Sequence, residues 1–376
     1  MKIFNPILLL TIIGLWGCKS ANNSETLKID LNLARKNKME VKFSEVVKRV
    51  EYIQPETTDQ SIVFWSSNCV ISDQYMFLVV GQSSASILCF RRNGEFVGQV
   101  GRNGKGPNEY ISPYDLQLSP DQKFLFWLDM RQKRVFRYSL AESTIKQVSI
   151  KGSINLDDLA VGKDRIYICT LPDISLENPC RVIELDYELN RTGGYLPTDH
   201  LPDRLFPSPN HLYLYLDHFY LNTLESNEIL IYDKDFHLTK KISFSNLMDR
   251  QELNNIKFWG DQIIAQFQET TEPKPGTTTI YIMGQNAPQY LTVLFDLNGN
   301  CRSADFIDDI TGLRRESRLG EQTQSGYLNN HLPIENVQKW ILEKDPRADH
   351  IEPTLRKMVL DSKPDDNPVI RIYWTQ

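Results

Sequence analysis

Six histidines, six cysteines and a few glycine-rich turns carry the chemistry this 376-residue chain could offer. Gly101-Arg102-Asn103-Gly104-Lys105-Gly106 invites comparison with a phosphate loop, but the spacing is wrong. A Walker loop puts four residues between its glycines and Ser or Thr after Lys, whereas Gly106 and Pro107 follow Lys105. A dinucleotide fingerprint needs G-x-G-x-x-G opening a helix, and this stretch is G-x-x-G-x-G before a β pattern. It reads as a passage between two strands, made of residues that tolerate unusual backbone angles. Arg102, Lys105, Glu109 and Tyr110 on that passage are the binding candidates, since loops on a rigid scaffold carry function. Asp129 and Arg134 would face each other across a hairpin as a structural ion pair, worth at most about 1 kcal/mol if exposed. A catalytic role would need a third group, and none is near in sequence, so no catalytic residue is assigned.

The remaining motifs fall short of a site. Among His200, His211, His218, His237, His331 and His350 there is no HExxH. His211 and His218, seven apart in a strand-like run, should point to opposite faces. A metal site could only be assembled from separate parts of the chain, and no metal or other cofactor is assigned. Asp296, Asn298 and Asn300 imitate the start of a calcium loop, but Cys301 stands where Gly is needed and Ile307 where Glu is needed. A hairpin turn is the better reading. Gly81-Gln82-Ser83-Ser84-Ala85 lacks the last glycine of a nucleophile elbow.

The N-terminus reads as an address. Lys2 precedes an apolar run over residues 7–17, too short for a bilayer, which needs about 20 residues. A basic start, a short apolar stretch and a small residue describe an export signal over residues 1–17. Leu15-Trp16-Gly17-Cys18 resembles a bacterial lipobox, which implies lipidation at Cys18. Residues 18–40 are then expected as lipidated Cys and tether, and 41–376 as the folded domain.

Composition narrows the class further. A net charge of −6 and a pI near 5.6 exclude the basic stripe of a nucleic-acid binder. At 41% apolar and 24% charged the chain is globular rather than disordered. Beyond Cys18 five cysteines remain, so at least one has no partner within the chain. Cys69 and Cys89 should lie one strand apart, about 9.6 Å, beyond disulfide reach. Cys169 and Cys180 flank a hairpin and are the only plausible local pair.

A repeat organises the rest. Apolar runs beginning at Ile87, Val135, Val182 and Ile229 are 48, 47 and 47 residues apart. Leu291 follows after 62 and Val369 after 78. A step of 40–50 residues is the length of a four-stranded propeller blade. Residues 68–72, 75–81, 86–92 and 96–101 would form one blade. Asn93-Gly94 and Asn298-Gly299 would make two-residue hairpins, where both central residues adopt positive φ. Six matches predict an all-β, six-bladed propeller, with seven blades as the alternative. Residues 334–342 and 351–360 read as short helices in the last blade. Residues 45–53 are the candidate to pair with the final strand and close the ring.

Three separated segments then resemble a known family in the right order. They are Phe43-Ser44-Glu45-Val46-Val47 through Glu51-Tyr52-Ile53-Gln54-Pro55-Glu56-Thr57-Thr58, then Arg91-Arg92-Asn93-Gly94-Glu95-Phe96 through Tyr110, and Asp366-Asn367-Pro368-Val369-Ile370. The chain is similar to six-bladed β-propeller lipoproteins of Bacteroides-type bacteria. Gly104 to Tyr110, Pro113 and the Asp129-to-Arg134 spacing also resemble an NHL repeat. The resemblance implies a TolB-like fold, export and a lipid anchor in the outer membrane, but no reaction. The expectation is a cell-envelope binding or protein-interaction module that meets an envelope protein, peptide or glycan at the propeller funnel. The rival is a lactonase-like hydrolase or lyase with a metal in the central channel. The first strand of each blade separates the two: three or four convergent Asp, Glu, Asn or His side chains favour the enzyme.

Overall fold

The computed structural model describes residues 25–63, 66–81, 85–198, 211–223, 226–248, 251–269, 290–312 and 327–374. Cys18 and the signal region lie outside them. Five antiparallel meanders make five blades, each running from an inner first strand to an outer fourth. Blade 1 is Ser66–Ile71, Tyr75–Val80, Ser86–Arg91 and Phe96–Val100. Blade 2 is Pro113–Leu118, Phe124–Asp129, Arg134–Ser139 and Thr144–Ser149. Blade 3 is Ser153–Val161, Arg165–Pro172, Cys180–Asp186 and Arg191–Pro197. Blade 4 is His211–Tyr215, His218–Thr223, Glu228–Tyr232 and Leu238–Ser245. Blade 5 is Gln251–Trp259, Gln262–Glu269, Tyr290–Phe295 and Cys301–Ile307.

The expectation of six or seven blades is therefore corrected to five. The first five apolar matches of the repeat all fall on third strands of blades. The sixth, Val369–Trp374, belongs to a three-stranded sheet with Tyr327–Leu332 and Arg49–Ile53. Among the described residues no further hairpin is added there, and the apolar period changes after residue 332. Ile334 and Val337 meet Leu355 and Val359 in a small core between two helices, Ile334–Leu342 and Pro353–Asp361. The ring does close as the ends of the chain foretold: Ile53 pairs with Ile370 and Val50 with Tyr373.

Residues 25–40 are not a tether. Glu25–Asp30 adds a parallel fifth strand to blade 4, and Met39–Lys42 does the same for blade 5. The helix Leu31–Lys36 between them is capped by the Asp30 carboxylate, which accepts from the N–H groups of Asn32 and Leu33. Ile29, Leu31 and Ala34 are fully buried between blades 4 and 5, so the apolar residues after position 26 are drawn into the core.

Each blade buries both faces, which is why the sequence shows continuous apolar runs instead of strict alternation. In Met76-Phe77-Leu78-Val79 all four side chains are inaccessible. Phe77 and Val79 pack on Trp127 and Phe136 of blade 2, while Met76 and Leu78 pack on Ile370 and Ile372 of the closing sheet. The five described cysteines past the signal are buried, and none is in a disulfide. Cys169 faces blade 4 and Cys180 faces blade 2, so the plausible local pair points in opposite directions.

Candidate functional site in the channel

The sequence candidates on the first inter-blade passage meet different fates. Arg102–Asn103 pairs with Glu109–Tyr110 in a two-stranded parallel ribbon, which folds the glycine run back on itself. Glu109 Oε2 accepts from the Gly106 N–H at 2.8 Å, and a Cβ on Gly104 would sit 2.1 Å from that oxygen. Gln132 Nε2 ties the ribbon down by donating to the carbonyls of Gly104 and Glu109, at 3.0 and 3.2 Å. Arg102 and Lys105 stay exposed. Tyr110 is fully buried between blades 1 and 2. Its hydroxyl donates to the Val100 carbonyl at 2.8 Å and accepts from the Ile87 N–H at 3.1 Å, so it is a structural bolt. Asp129 and Arg134 are opposite each other in the hairpin register, as expected. Asp129 nevertheless gives its carboxylate to the N–H groups of Ile111, Ser112 and Gln132, and Arg134 turns to Gln147.

His211 and His218 are not on one strand. His211 begins the first strand of blade 4 and His218 begins the second, after a hairpin. His200 and the side chain of His331 lie outside the described residues. His237 sits in an exposed turn with Asp233 and Asp235, close enough for a shared ion. That turn is ordinary hairpin chemistry, because Asp233 accepts from the N–H groups of Asp235 and His237. Asp296 makes the same pattern with Asn298 and Asn300, which bears out the hairpin reading there.

The convergent polar side chains are elsewhere, on the first strands of blades 2, 3 and 4. These strands pack on one another around the channel. Blades 1, 2, 3 and 5 each carry a bulge in the first strand, at 66/68, 114/117, 156/158 and 253/255. A bulge turns a side chain out of the sheet's regular alternation and is common beside functional sites. Asp115 and Asp157 occupy two of these bulges, and Asp115 has φ +50, a strained angle for a residue with a Cβ.

Asp115 Oδ2 accepts from the Leu159 N–H of blade 3, and Gln117 donates to its Oδ1 at 3.1 Å. Asp158 Oδ2 accepts from the Leu212 N–H of blade 4 at 2.8 Å and lies 3.4 Å from His211 Nδ1. The Asp115 and Asp158 carboxyl groups are hydrogen-bonded to each other. Burial raises the Asp115 carboxyl well above its usual range, and the Asp158 charge adds to the effect. Burial pushes Asp158 up to about 6 against the hydrogen bonds that favour its charged form. Above about pH 6, and until Asp115 also ionises, the pair therefore holds one proton. Burial lowers His211, so its imidazole is held neutral despite the nearby carboxylates. An acid, a base and an imidazole thus lie side by side, a set able to grip a polar ligand or transfer protons.

Sequence reasoning missed these residues because no local motif joins them. The signal was their phase. Asp115, Asp158 and His211 all sit on the first strand of consecutive repeats, a position identifiable only once the strands are assigned.

No curated protein matches the chain. Two solved structures share the architecture at low identity and so speak to the fold alone. A Bacteroides fragilis protein described as a "Putative exported protein" aligns at TM-score 0.63 and 10% identity, over 93% of this chain and 99% of that one. A DUF4221 family member from Bacteroides vulgatus aligns at TM-score 0.51 and 8% identity, over 88% and 97%. The family model described as "Domain of unknown function (DUF4934)" covers residues 26–374, and the chain belongs to that family.

Proposed function

We propose that this protein is an exported propeller that binds a polar ligand, a glycan or peptide of the cell envelope, in its channel. The observation carrying the reading is the convergence of Asp115, Asp157, Asp158 and His211 from three consecutive blades. Similarity in fold to the Bacteroides fragilis protein described as a "Putative exported protein" supports export. Among the described residues no helix is long and apolar enough to cross a membrane. A lipid on Cys18, in the lipobox-like Leu15-Trp16-Gly17-Cys18, would anchor the protein at the outer membrane. The exposed Arg102 and Lys105, with Glu109, form a second contact surface on the ribbon beside blades 1 and 2.

The test is glycan- and peptide-array binding by the intact protein, the Asp115→Asn/Asp158→Asn double variant and an Arg102→Glu/Lys105→Glu variant. Loss of binding in the channel variant alone supports the reading. Loss confined to the ribbon variant would move the site outside the channel. Fatty-acid labelling of wild type and Cys18→Ala tests the anchor, and equal labelling would refute it.

The proton shared by Asp115 and Asp158 favours one second reading, a hydrolase or lyase. The protonated carboxyl would serve as acid and its partner as base. Turnover of lactones or uronate-containing glycans, abolished by Asp158→Asn, would establish it.

A further inference from the structure

One end of blades 2 and 3 exposes apolar and cationic side chains together. Of twelve large apolar side chains exposed among the described residues, Met130, Ile154, Ile174 and Leu176 fall here, each 38–49% open. Met130 follows the second strand of blade 2, Ile154 lies at the start of the first strand of blade 3, and Ile174 and Leu176 sit between its second and third strands. Hydrogen bonds join these segments to one another and to the ribbon. Gln132 Nε2 holds the ribbon carbonyls of Gly104 and Glu109, Lys133 Nζ donates to the Ser153 carbonyl at 3.2 Å, and the Asp173 N–H donates to the Gly152 carbonyl at 3.1 Å. Ile154 shares its strand with Asp157 and Asp158, so this surface is a lip of the channel. Its charge differs from that of the whole molecule. Residues 102–109, 129–134, 151–154 and 173–177 carry six cations and four carboxylates, a local net of +2 in a chain of net −6. Arg102, Lys105, Arg131 and Lys151 are exposed, and among the described residues none of them makes an ion pair. Clustered exposed apolar side chains rimmed by charge mark interaction surfaces.

We propose that this lip docks a segment of a partner protein that carries acidic and apolar side chains. Covering the four apolar side chains would supply the burial, and the exposed cations would steer and align the acidic groups. The place of the N-terminus favours a polypeptide over the anchoring membrane. Loops between second and third strands and turns between third and fourth strands lie at opposite ends of a blade. Glu25 pairs with Lys240 near the start of the fourth strand of blade 4, at the end opposite the lip. A lipid on Cys18, seven residues before Glu25, would hold that opposite end near the bilayer. The inference rests on the ribbon surface already assigned to binding and is independent of what the channel holds.

The test begins with access. The native cysteines past the signal are buried, so in a Cys18→Ala background maleimide labelling of Ile154→Cys and of Leu176→Cys reads the lip alone. Both should label as fast as Leu216→Cys, in an exposed turn of blade 4; slow labelling would mean that the chain covers its own lip and would overturn the proposal. Binding is then measured with a peptide alternating Glu or Asp with Leu or Phe, with its Lys-bearing counterpart, and with phosphatidylglycerol vesicles. The acidic peptide should bind, more weakly as salt rises, and Arg102→Glu/Arg131→Glu and Ile154→Ser/Leu176→Ser should each lose at least about tenfold in affinity. No binding of the acidic peptide, equal binding of its Lys counterpart, or unchanged affinity in either variant would overturn the proposal. So would vesicle binding in place of peptide binding, or self-association in sedimentation that the same variants abolish, since the occupant would then be a bilayer or a second copy. The channel variant Asp115→Asn/Asp158→Asn separates the two readings. Loss of peptide binding there would place the peptide in the channel and overturn the lip, whereas binding that survives supports the lip whether or not the channel takes a ligand.

Discussion

At the scale of single residues, the channel pair sets a pH dependence with a definite sign. Unfolded, Asp158 titrates near 3.8; folded, near 6. Between those values the folded state binds more protons than the unfolded one, so stability falls as pH rises through the window. Asp115, raised further, extends the loss to higher pH. Asp115→Asn keeps an acceptor for the Leu159 N–H and supplies a permanent donor to Asp158. It should therefore stabilise the protein at pH 7.5 by about 1–2 kcal/mol and have almost no effect at pH 4. Melts at both pH values check this; equal shifts would mean the two carboxyls do not share a proton. Tyr110→Phe makes the opposite kind of claim. It strands the buried Ile87 N–H and Val100 carbonyl, and should cost about 1–3 kcal/mol in urea titration without changing ligand binding. The hairpin partnership of Asp129 and Arg134 was legible because it needs only two neighbouring strands. Its bonding was not, since the Asp129 carboxylate is claimed by Ile111 and Ser112 on the incoming chain.

At the scale of elements, the third strands could be read from the sequence because they are the most apolar and are followed by the same turn. The turn itself differs from the expected two-residue hairpin. Gly94 has φ +92, while Asn93 stays at negative φ. The Gly94 N–H bonds back to the Arg91 carbonyl and the Arg91 N–H to the Glu95 carbonyl. This is a type I turn closed by one left-handed residue and a bulge. Gly299 holds the equivalent place in blade 5, and Leu189 and Phe236 hold it in blades 3 and 4. Those two tolerate φ near +60 because their side chains are buried on the blade, Leu189 at 4% and Phe236 at 8% exposure. At Gly94 no such trade is open: a Cβ there would lie 2.1 Å from the Gln54 carbonyl oxygen. Gly94→Ala should destabilise by more than about 2 kcal/mol, adding a backbone clash to the left-handed penalty of about 1–2 kcal/mol. Gly260→Ala, with φ +57 and nothing within 4 Å of its added Cβ, should cost only that penalty. Equal urea midpoints for the two variants would show that the loop at Gln54 yields freely.

At the scale of the whole molecule, the repeat length announced a propeller but could not count its blades. The last apolar match marks a strand, and a strand announces a blade only if its neighbours in sequence are strands too. Residues 334–361 spend their apolar side chains on a helix pair instead. The same blindness hid the strands at 25–42, whose partners lie more than 200 residues away. What the ends of the chain do together was readable, because both segments are apolar and a ring must close. Val369, Ile370, Ile372 and Tyr373 are all at most 2% exposed, and they pack on blade 1, blade 5 and the helix pair. At roughly 1.5–3 kcal/mol for each buried side chain, removing the four forfeits about 6–12 kcal/mol, comparable to a domain's entire stability. Truncation after Asp366 should therefore give an insoluble or protease-sensitive product. Deletion of residues 1–24 should leave the core intact, whereas deletion of 1–42 should not, since it strips a strand from blades 4 and 5 together with Ile29, Leu31 and Val41. Limited proteolysis of the three truncations beside the intact chain distinguishes these outcomes. Resistance of the Asp366 truncation equal to that of the intact chain would mean that the closing sheet is an appendage and that the five blades hold their ring without it.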